Sequence, residues 1–566
     1  MFESVLAQDI EQSVSEAKNL FKQEPISCTG SIGANAVFYK PYGIQARRDP
    51  FYWVLNANLN ISLFNKINVP FTAVITQQDK NYSNGLDKFS QPFNQFGISP
   101  RYRWLTIHAG FRSLEFSEYT LSGAIFLGGG VEVKPEKSLI SGTALYGRFV
   151  KAVPKGGVDG VTVSLPAYER WGAGTKLKVG TEQNYGEFIF LKMKDRVSSI
   201  AFDTALTITP QENQIIAIVT RQRVNSWLGV NGDFSYSMFT KNLYDDVTKI
   251  ERFTYVNQIY SPRPSSQFNK AMNFGIDFNP GKARFGVKYK RIDPDYRSLG
   301  AIFLANDVEE LSANSNFAVL KNRISVGVAA GLQRNNLDRI QVVTSQRFIG
   351  ALNLSYNITE SFNLSANYSN FSSNTLPVRD VFTDSIKFVQ LTQNGSLSGM
   401  YAFGKGKVKY SLSNSLAYQE SGGNKQALST FLNETCSFNT NFSELGLGIN
   451  ISAIYNKSTA GNIGSTEGYG PNIGLQKGLY KNKIRLVVSS GFQKALFNKE
   501  ALSRNISLSF GFAFTIDKHQ SFKADCSYLS KTALKEGTQE FKEVRGGLGY
   551  VYNFGIKSKK IRTSKV

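Results

Sequence analysis

Only two histidines stand among the 566 residues, His108 and His519, beside three cysteines, Cys28, Cys436 and Cys526. The cysteines lie far apart, are odd in number and match no zinc or redox spacing, so they read as packing residues. Neither histidine sits in a metal-ligand spacing or a nucleophile motif. Catalysis through histidine would need one of them beside a serine and an acid, and no motif brings such a set together. Each reads as a strand or turn histidine. The run Gly128, Gly129 and Gly130 is followed by no Lys-Ser or Lys-Thr pair. It is therefore no phosphate loop and marks a bend or a close backbone approach. No cofactor, metal site or catalytic centre is expected.

Charge is the remaining chemical signal. The formal net charge is +22, which suits anionic solutes, anionic lipid or nucleic acid. Nucleic acid is the weak option, because Lys and Arg are spread singly along the chain. The one cluster is terminal: Lys557, Lys559, Lys560, Arg562 and Lys565. It reads as a solvated end. The informative basic residues are Lys176, Lys178, Arg284, Lys288, Lys290, Lys407, Lys409, Arg485 and Arg545, each set opposite apolar neighbours. Around Arg284, Lys288 and Lys290, the other parity is Phe285, Val287 and Tyr289.

That parity describes the elements that hold them. In a strand, successive side chains point to opposite faces. Ile506, Leu508, Phe510, Phe512, Phe514 and Ile516 alternate with Ser507, Ser509, Gly511, Ala513 and Thr515. Trp53, Leu55, Ala57, Leu59, Ile61 and Leu63 alternate with Val54, Asn56, Asn58, Asn60 and Ser62. Asparagine disfavours strands, so three at alternate positions must face water. A soluble sandwich puts bulk inside and charge outside. Here the second face is Ser, Gly, Ala, Thr and Asn, and the pattern recurs over most of the chain. A closed barrel in lipid needs that arrangement, apolar outside and polar within.

No run of about 18 apolar residues exists, which excludes a spanning helix. Aromatics make up 13% of the chain, with 42 Phe and 26 Tyr, against 16 Pro, a mix that suits many strands with an aromatic exterior. Short turns, such as 357–360, alternate with long connections near 79–99, 152–168, 240–266, 294–312 and 371–386. Arg101 to Trp104, Tyr168 to Trp171 and Trp227 suit a membrane–water interface, or ordinary strand-end packing. The pattern predicts one all-β domain, a single transmembrane antiparallel β-barrel of about 24 strands, within 22–26, since such barrels favour even numbers. Residues 27–556 form it. Residues 1–26 combine a signal-peptide remnant, ending near Ala7, with a short helical or plug-like segment. Residues 557–566 are the basic tail.

The final strand carries a resemblance. Val544, Leu548, Tyr550, Tyr552 and Phe554 share one parity, and Arg545, Gly547, Gly549, Val551 and Asn553 the other. Arg545, Gly547, Tyr550 and Tyr552, with Phe554 one dyad on, resemble the assembly signal of the large outer-membrane β-barrel proteins of Gram-negative bacteria. The likeness spans residues 27–556. It departs from the family where the chain runs past the terminal aromatic, and 1–26 is too short for the folded plug of the TonB-dependent transporters. The resemblance implies residence in the cell outer membrane, among lipid and lipopolysaccharide. It also implies docking of the last strand on the barrel-assembly machinery and closure against the first strand. Two functions follow. One is a pore or transporter for small polar or anionic solutes, with the basic residues lining the lumen. The other is a non-conducting envelope scaffold or accessory barrel that binds other outer-membrane, secretion or assembly proteins.

Overall fold

The computed structural model describes residues 25–77, 94–136, 138–154, 166–201, 208–249, 256–377, 388–423 and 428–557. The expected N-terminal segment, nearly all of the basic tail and most of the connection near 79–99 lie outside these residues. Strands follow one another in chain order from Ile26–Tyr42 to Phe541–Lys557, each antiparallel to its neighbours in one sheet. The last strand pairs with the first, with Ser27 opposite Lys557, Ile32 opposite Tyr552 and Tyr39 opposite Arg545. Closure removes the strand edge, which lipid would not tolerate.

The ring has 26 strands, counting Gln95–Ile98 and Arg101–Tyr102 as one because both pair with the same two neighbours. This count is the upper end of the 22–26 range read from the sequence, and the central figure of about 24 sits lower because strand boundaries blur where polar residues break the alternation. In Val308–Val319 the run Ser312, Asn314, Ser315 and Asn316 blurs the alternation, so the connection expected at 294–312 ends earlier, at 307. Likewise Phe362–Pro377 continues well into the stretch read as a loop from 371.

The two rims differ. Turns such as 64–66, 103–104, 181–184, 320–323, 358–361 and 480–483 share one rim with Ile26 and Lys557. The strand ends that flank the connections 151–169, 196–211, 241–265 and 293–307 lie on the other. Short turns on the rim of the termini and long loops opposite is the asymmetry of outer-membrane barrels.

The outer wall is apolar and exposed, as at Leu352, Leu397, Leu412, Ile451, Ile473, Leu508 and Phe510. Near the short-turn rim Phe362, Tyr401, Phe403, Tyr410 and Phe438 form a continuous row, with ring centroids 5.2–6.2 Å apart. Trp227 packs edge-on against Phe278 on that rim, and Tyr146 stacks on Trp171 toward the opposite one. Amphipathic rings at both ends of an apolar band mark the two membrane–water interfaces. Among the described residues no helix is long and apolar enough to cross a membrane; the strands cross it. The chain is an outer-membrane-type β-barrel.

The lumen as candidate functional site

The inner wall changes character around the ring. Strands Ile140–Val150, Tyr185–Asp195 and Glu212–Arg223 turn Leu145, Phe149, Ile189, Leu191, Met193, Ile215 and Ala217 inward, and all are buried. Apolar side chains facing an aqueous bore must be covered, and two infolded segments cover them. Residues 114–124 follow the strand Leu105–Ser113, and residues 293–307 follow Arg284–Ile292. Phe116 and Leu121 from the first segment enter the apolar cluster, and Leu299 of the second packs against it.

The segments are fastened to each other and to the wall. Gly300 and Leu121, then Ala301 and Ser122, pair as short parallel strands. The Tyr296 hydroxyl donates to the Tyr119 carbonyl at 2.8 Å, and Ser298 donates to the Thr120 carbonyl. From the wall, Asn273 donates to the Tyr119 hydroxyl at 3.0 Å and Ser237 to the Arg297 carbonyl at 2.7 Å. Asn213 accepts from the Leu299 N–H at 3.1 Å. Burial pushes the phenols of Tyr119 and Tyr296 up from the ordinary tyrosine range, because it penalises the phenolate.

The wall is cut back beneath this packing, to make room for the wall's own Phe149 and for Phe116 of the infolded segment. A Cβ on Gly172 would lie 2.7 Å from the Phe149 ring, and one on Gly174 would lie 2.8 Å from Phe116 and 3.0 Å from Leu191. Gly128 makes the close backbone approach expected of the glycine run, since a Cβ there would stand 2.2 Å from the Tyr146 carbonyl oxygen.

From Val308 onward the inner wall is different, and beyond Tyr296 no hydrophobic side chain is buried among the described residues. Many inward positions are Ser and Asn, joined across strands in polar pairs. Ser365 meets Ser398 at 2.6 Å, Asn450 donates to Asn439 at 2.6 Å, and Ser489 meets Ser509 at 2.5 Å. Nothing among the described residues covers this arc.

The register places Lys176, Lys178, Arg284, Lys288, Lys290, Lys409, Arg485 and Arg545 on the inner face, and the arrangement is not a ring. Lys176 donates to the Glu115 carbonyl at 2.9 Å and lies 5.5 Å from the Phe116 ring centre. Lys178 sits 3.4 Å from Glu182 and 4.1 Å from the Tyr185 ring centre. Lys290 pairs with Glu118, and Lys288 lies 3.9 Å from the same carboxylate. Thus the infolded segment 114–124 brings its own counter-ion, which the spacing of the lysines does not reveal. Arg284, Lys409, Arg485 and Arg545 have no ion pair among the described residues; Lys409 and Arg485 line one pocket together with Asn439, Asn441 and Asn450, while Arg284 and Arg545 stand on other strands. Lys407 departs from the expected face, lying in the turn 404–407 and paired with Glu444. Val408, not Lys407, starts the strand. In the closing strand Tyr550, Tyr552 and Phe554 face outward with Tyr552 and Phe554 stacked at 5.7 Å. Gly547 faces in, where a Cβ would lie 2.4 Å from Asp525.

The two histidines also part company. His519 is a turn residue, its Nδ1 2.9 Å from the Asn553 carbonyl. His108 is buried on the inner face between Ser99, 2.9 Å from its Nδ1, and Glu132, 3.0 Å from its Nε2. The serine and acid that sequence motifs do not supply are brought to it by neighbouring strands.

No protein-family model and no curated protein sequence matches this chain. Among solved structures it is similar to the P pilus usher PapC translocation pore, with a TM-score of 0.36 and 8% identity over 94% of this chain and 100% of that one. It is also similar to Pseudomonas aeruginosa OccK5 (OpdH), at 0.33 and 11% over 67% and 98%. For Acinetobacter baumannii OccAB2 the values are 0.30 and 8% over 61% and 93%. Likeness at this level fixes neither solute nor descent.

Proposed function

We propose that this barrel is an outer-membrane channel for small polar solutes, with a bias toward anions. One observation carries the reading: the bore is lined by bare hydroxyls and amides on one arc and narrowed from the other by a packed constriction. Ser and Asn side chains exchange hydrogen bonds with a hydrated solute at little cost. The infolded segments are held by fully buried Tyr119, Leu121 and Tyr296, so they act as a fixed constriction and not as a lid. Lumen charges tune selectivity. Glu118 offsets one of the two charges of Lys288 and Lys290, while Arg284, Lys409, Arg485 and Arg545 supply the rest of the anion preference. The outward aromatics of the closing strand, Tyr550, Tyr552 and Phe554, are the residues the barrel-assembly machinery would read.

Single-channel recording of the refolded protein in a planar bilayer tests this. The expected result is steady conductance with a reversal potential displaced toward the anion. Insertion without conductance would contradict it and favour the scaffold reading.

A further inference from the structure

We propose that Ser99 is an activated nucleophile, and that the lumen hydrolyses small esters in addition to passing solutes. The proposal does not depend on the channel reading. It rests on three side chains that strand pairing alone brings together. Ser99 lies at the break between Gln95–Ile98 and Arg101–Tyr102, His108 on Leu105–Ser113, and Glu132 on Ile125–Val133.

The hydrogen bonds fix the roles. Glu132 is a carboxylate acceptor, also paired with Lys134, so the 3.0 Å contact puts the imidazole proton on His108 Nε2. That leaves the Nδ1 lone pair facing the Ser99 hydroxyl at 2.9 Å. A hydroxyl held against a neutral imidazole, itself oriented by an acid, is the general arrangement of an activated nucleophile. Here the base acts through Nδ1 and the acid holds Nε2, reversing the nitrogens of the serine-protease template. Both partners of His108 are part-buried and His108 is 9% exposed, so the bonds are not lost to bulk water. The residue opposite His108 in the register is Gly130, and the Leu114 side chain of the infolded segment stands 3.1 Å from where a Cβ on Gly130 would be, so a substrate reaches the imidazole from the Ser99 side.

Backbone chemistry limits the substrate class. The Ser99 N–H is committed to the Pro70 carbonyl at 3.0 Å, and Pro100 has no N–H, so the usual pair of amide donors for an oxyanion is absent next to the nucleophile. Without strong oxyanion support an amide is out of reach, whereas an ester with a good leaving group is not. The inward Arg101 is the nearest cation on the same strand. The reaction balances with water alone. The Ser99 oxygen bonds to the ester carbonyl carbon while its proton passes to His108 Nδ1. The C–O bond to the leaving alcohol then breaks, and the alcohol departs with that proton. Water, deprotonated by His108, releases the acyl group as a carboxylic acid and restores the Ser99 hydroxyl. Ser99 and His108 are the catalytic residues, and Glu132 is a positioning residue.

The test is covalent labelling of the folded barrel, verified by its heat-modifiable gel mobility, with a fluorophosphonate probe and peptide mass spectrometry. Turnover of p-nitrophenyl acetate is followed alongside. The expected result is one adduct on Ser99, absent in Ser99→Ala and slowed on the order of 100-fold in His108→Gln, as for loss of a general base. Glu132→Gln, which still accepts from Nε2, should retain much of the labelling that Glu132→Leu loses. Absence of an adduct on Ser99 in the folded wild-type barrel overturns the proposal. So does labelling that survives His108→Gln unchanged.

Discussion

The two arcs of this barrel obey one rule outside and opposite rules inside. Both present apolar side chains to lipid. On the inner face, the arc from Leu105 to Ile292 carries Phe149, Leu191, Met193 and Ile215, and that apolar surface is roofed by segments 114–124 and 293–307. The arc from Ile324 to Lys557 carries Ser and Asn ladders and is left bare. The difference teaches that strand alternation decides which side chains face in, while their polarity decides whether the chain must fold back over them. An apolar inner patch in water is unfavourable by about 25 cal/mol per Å², so it recruits cover; a hydroxyl ladder does not.

The largest effect should come from unfastening the cover. Tyr296→Ala removes a fully buried ring and its bond to the Tyr119 carbonyl, at a cost of roughly 3–5 kcal/mol. The wall strands should persist while single-channel conductance rises and the segment 293–307 becomes a protease target. Gly174→Leu attacks the same packing from the wall side and should give the same rise, through overpacking of about 1–3 kcal/mol.

Alkali should separate the arcs next. The phenols of Tyr119 and Tyr296 titrate above the ordinary tyrosine range because they are buried. Their folded-state pKa is raised, so their contribution to stability is complete below about pH 10 and is lost as pH climbs through the folded value. Absorbance at the phenolate band should show a late-ionising set of phenols that includes these two, with ionisation of the last of them coincident with a conductance increase. The variant Tyr296→Phe should remove one of them.

A smaller change is expected from Glu118→Gln. It frees Lys288 and Lys290 without touching the packed core, so the reversal potential should move further toward anions with the fold intact. The smallest belongs to the bare arc. Ser365→Ala breaks one part-buried ladder bond and should lower urea stability by about 0.5–1.5 kcal/mol.

How much of this the chain reveals by inspection depends on which face is considered. The outer wall is plain in sequence because Ile506 to Ile516 alternates cleanly with small polar residues. The closing strand is equally plain from Arg545, Gly547, Tyr550 and Tyr552. The infolded constriction left two signals of another kind. Residues 215–219 and 188–191 are apolar on both parities, which marks strands buried on both faces, and Gly172 and Gly174 mark a wall cut back to admit aromatic rings. Neither signal says what does the covering, because the contact between Tyr119 and Tyr296 spans 177 positions. The same holds for Ser99, His108 and Glu132, which meet only through antiparallel register. The lysines were legible as inward residues, but their counter-ion Glu118 was not, since it arrives on a connection and not on a strand.

If one arc lines an open aqueous path while the other is roofed, a charged thiol reagent should distinguish them. The most direct test is current block by a charged, membrane-impermeant thiosulfonate in a background lacking Cys28, Cys436 and Cys526. Ser415→Cys, exposed on the inner face of the bare arc, should react at once and reduce the conductance. Ala217→Cys, inward but 1% exposed beneath the cover, should react on the order of 100-fold more slowly, because labelling there requires local opening. Equal rates at the two positions would contradict the account.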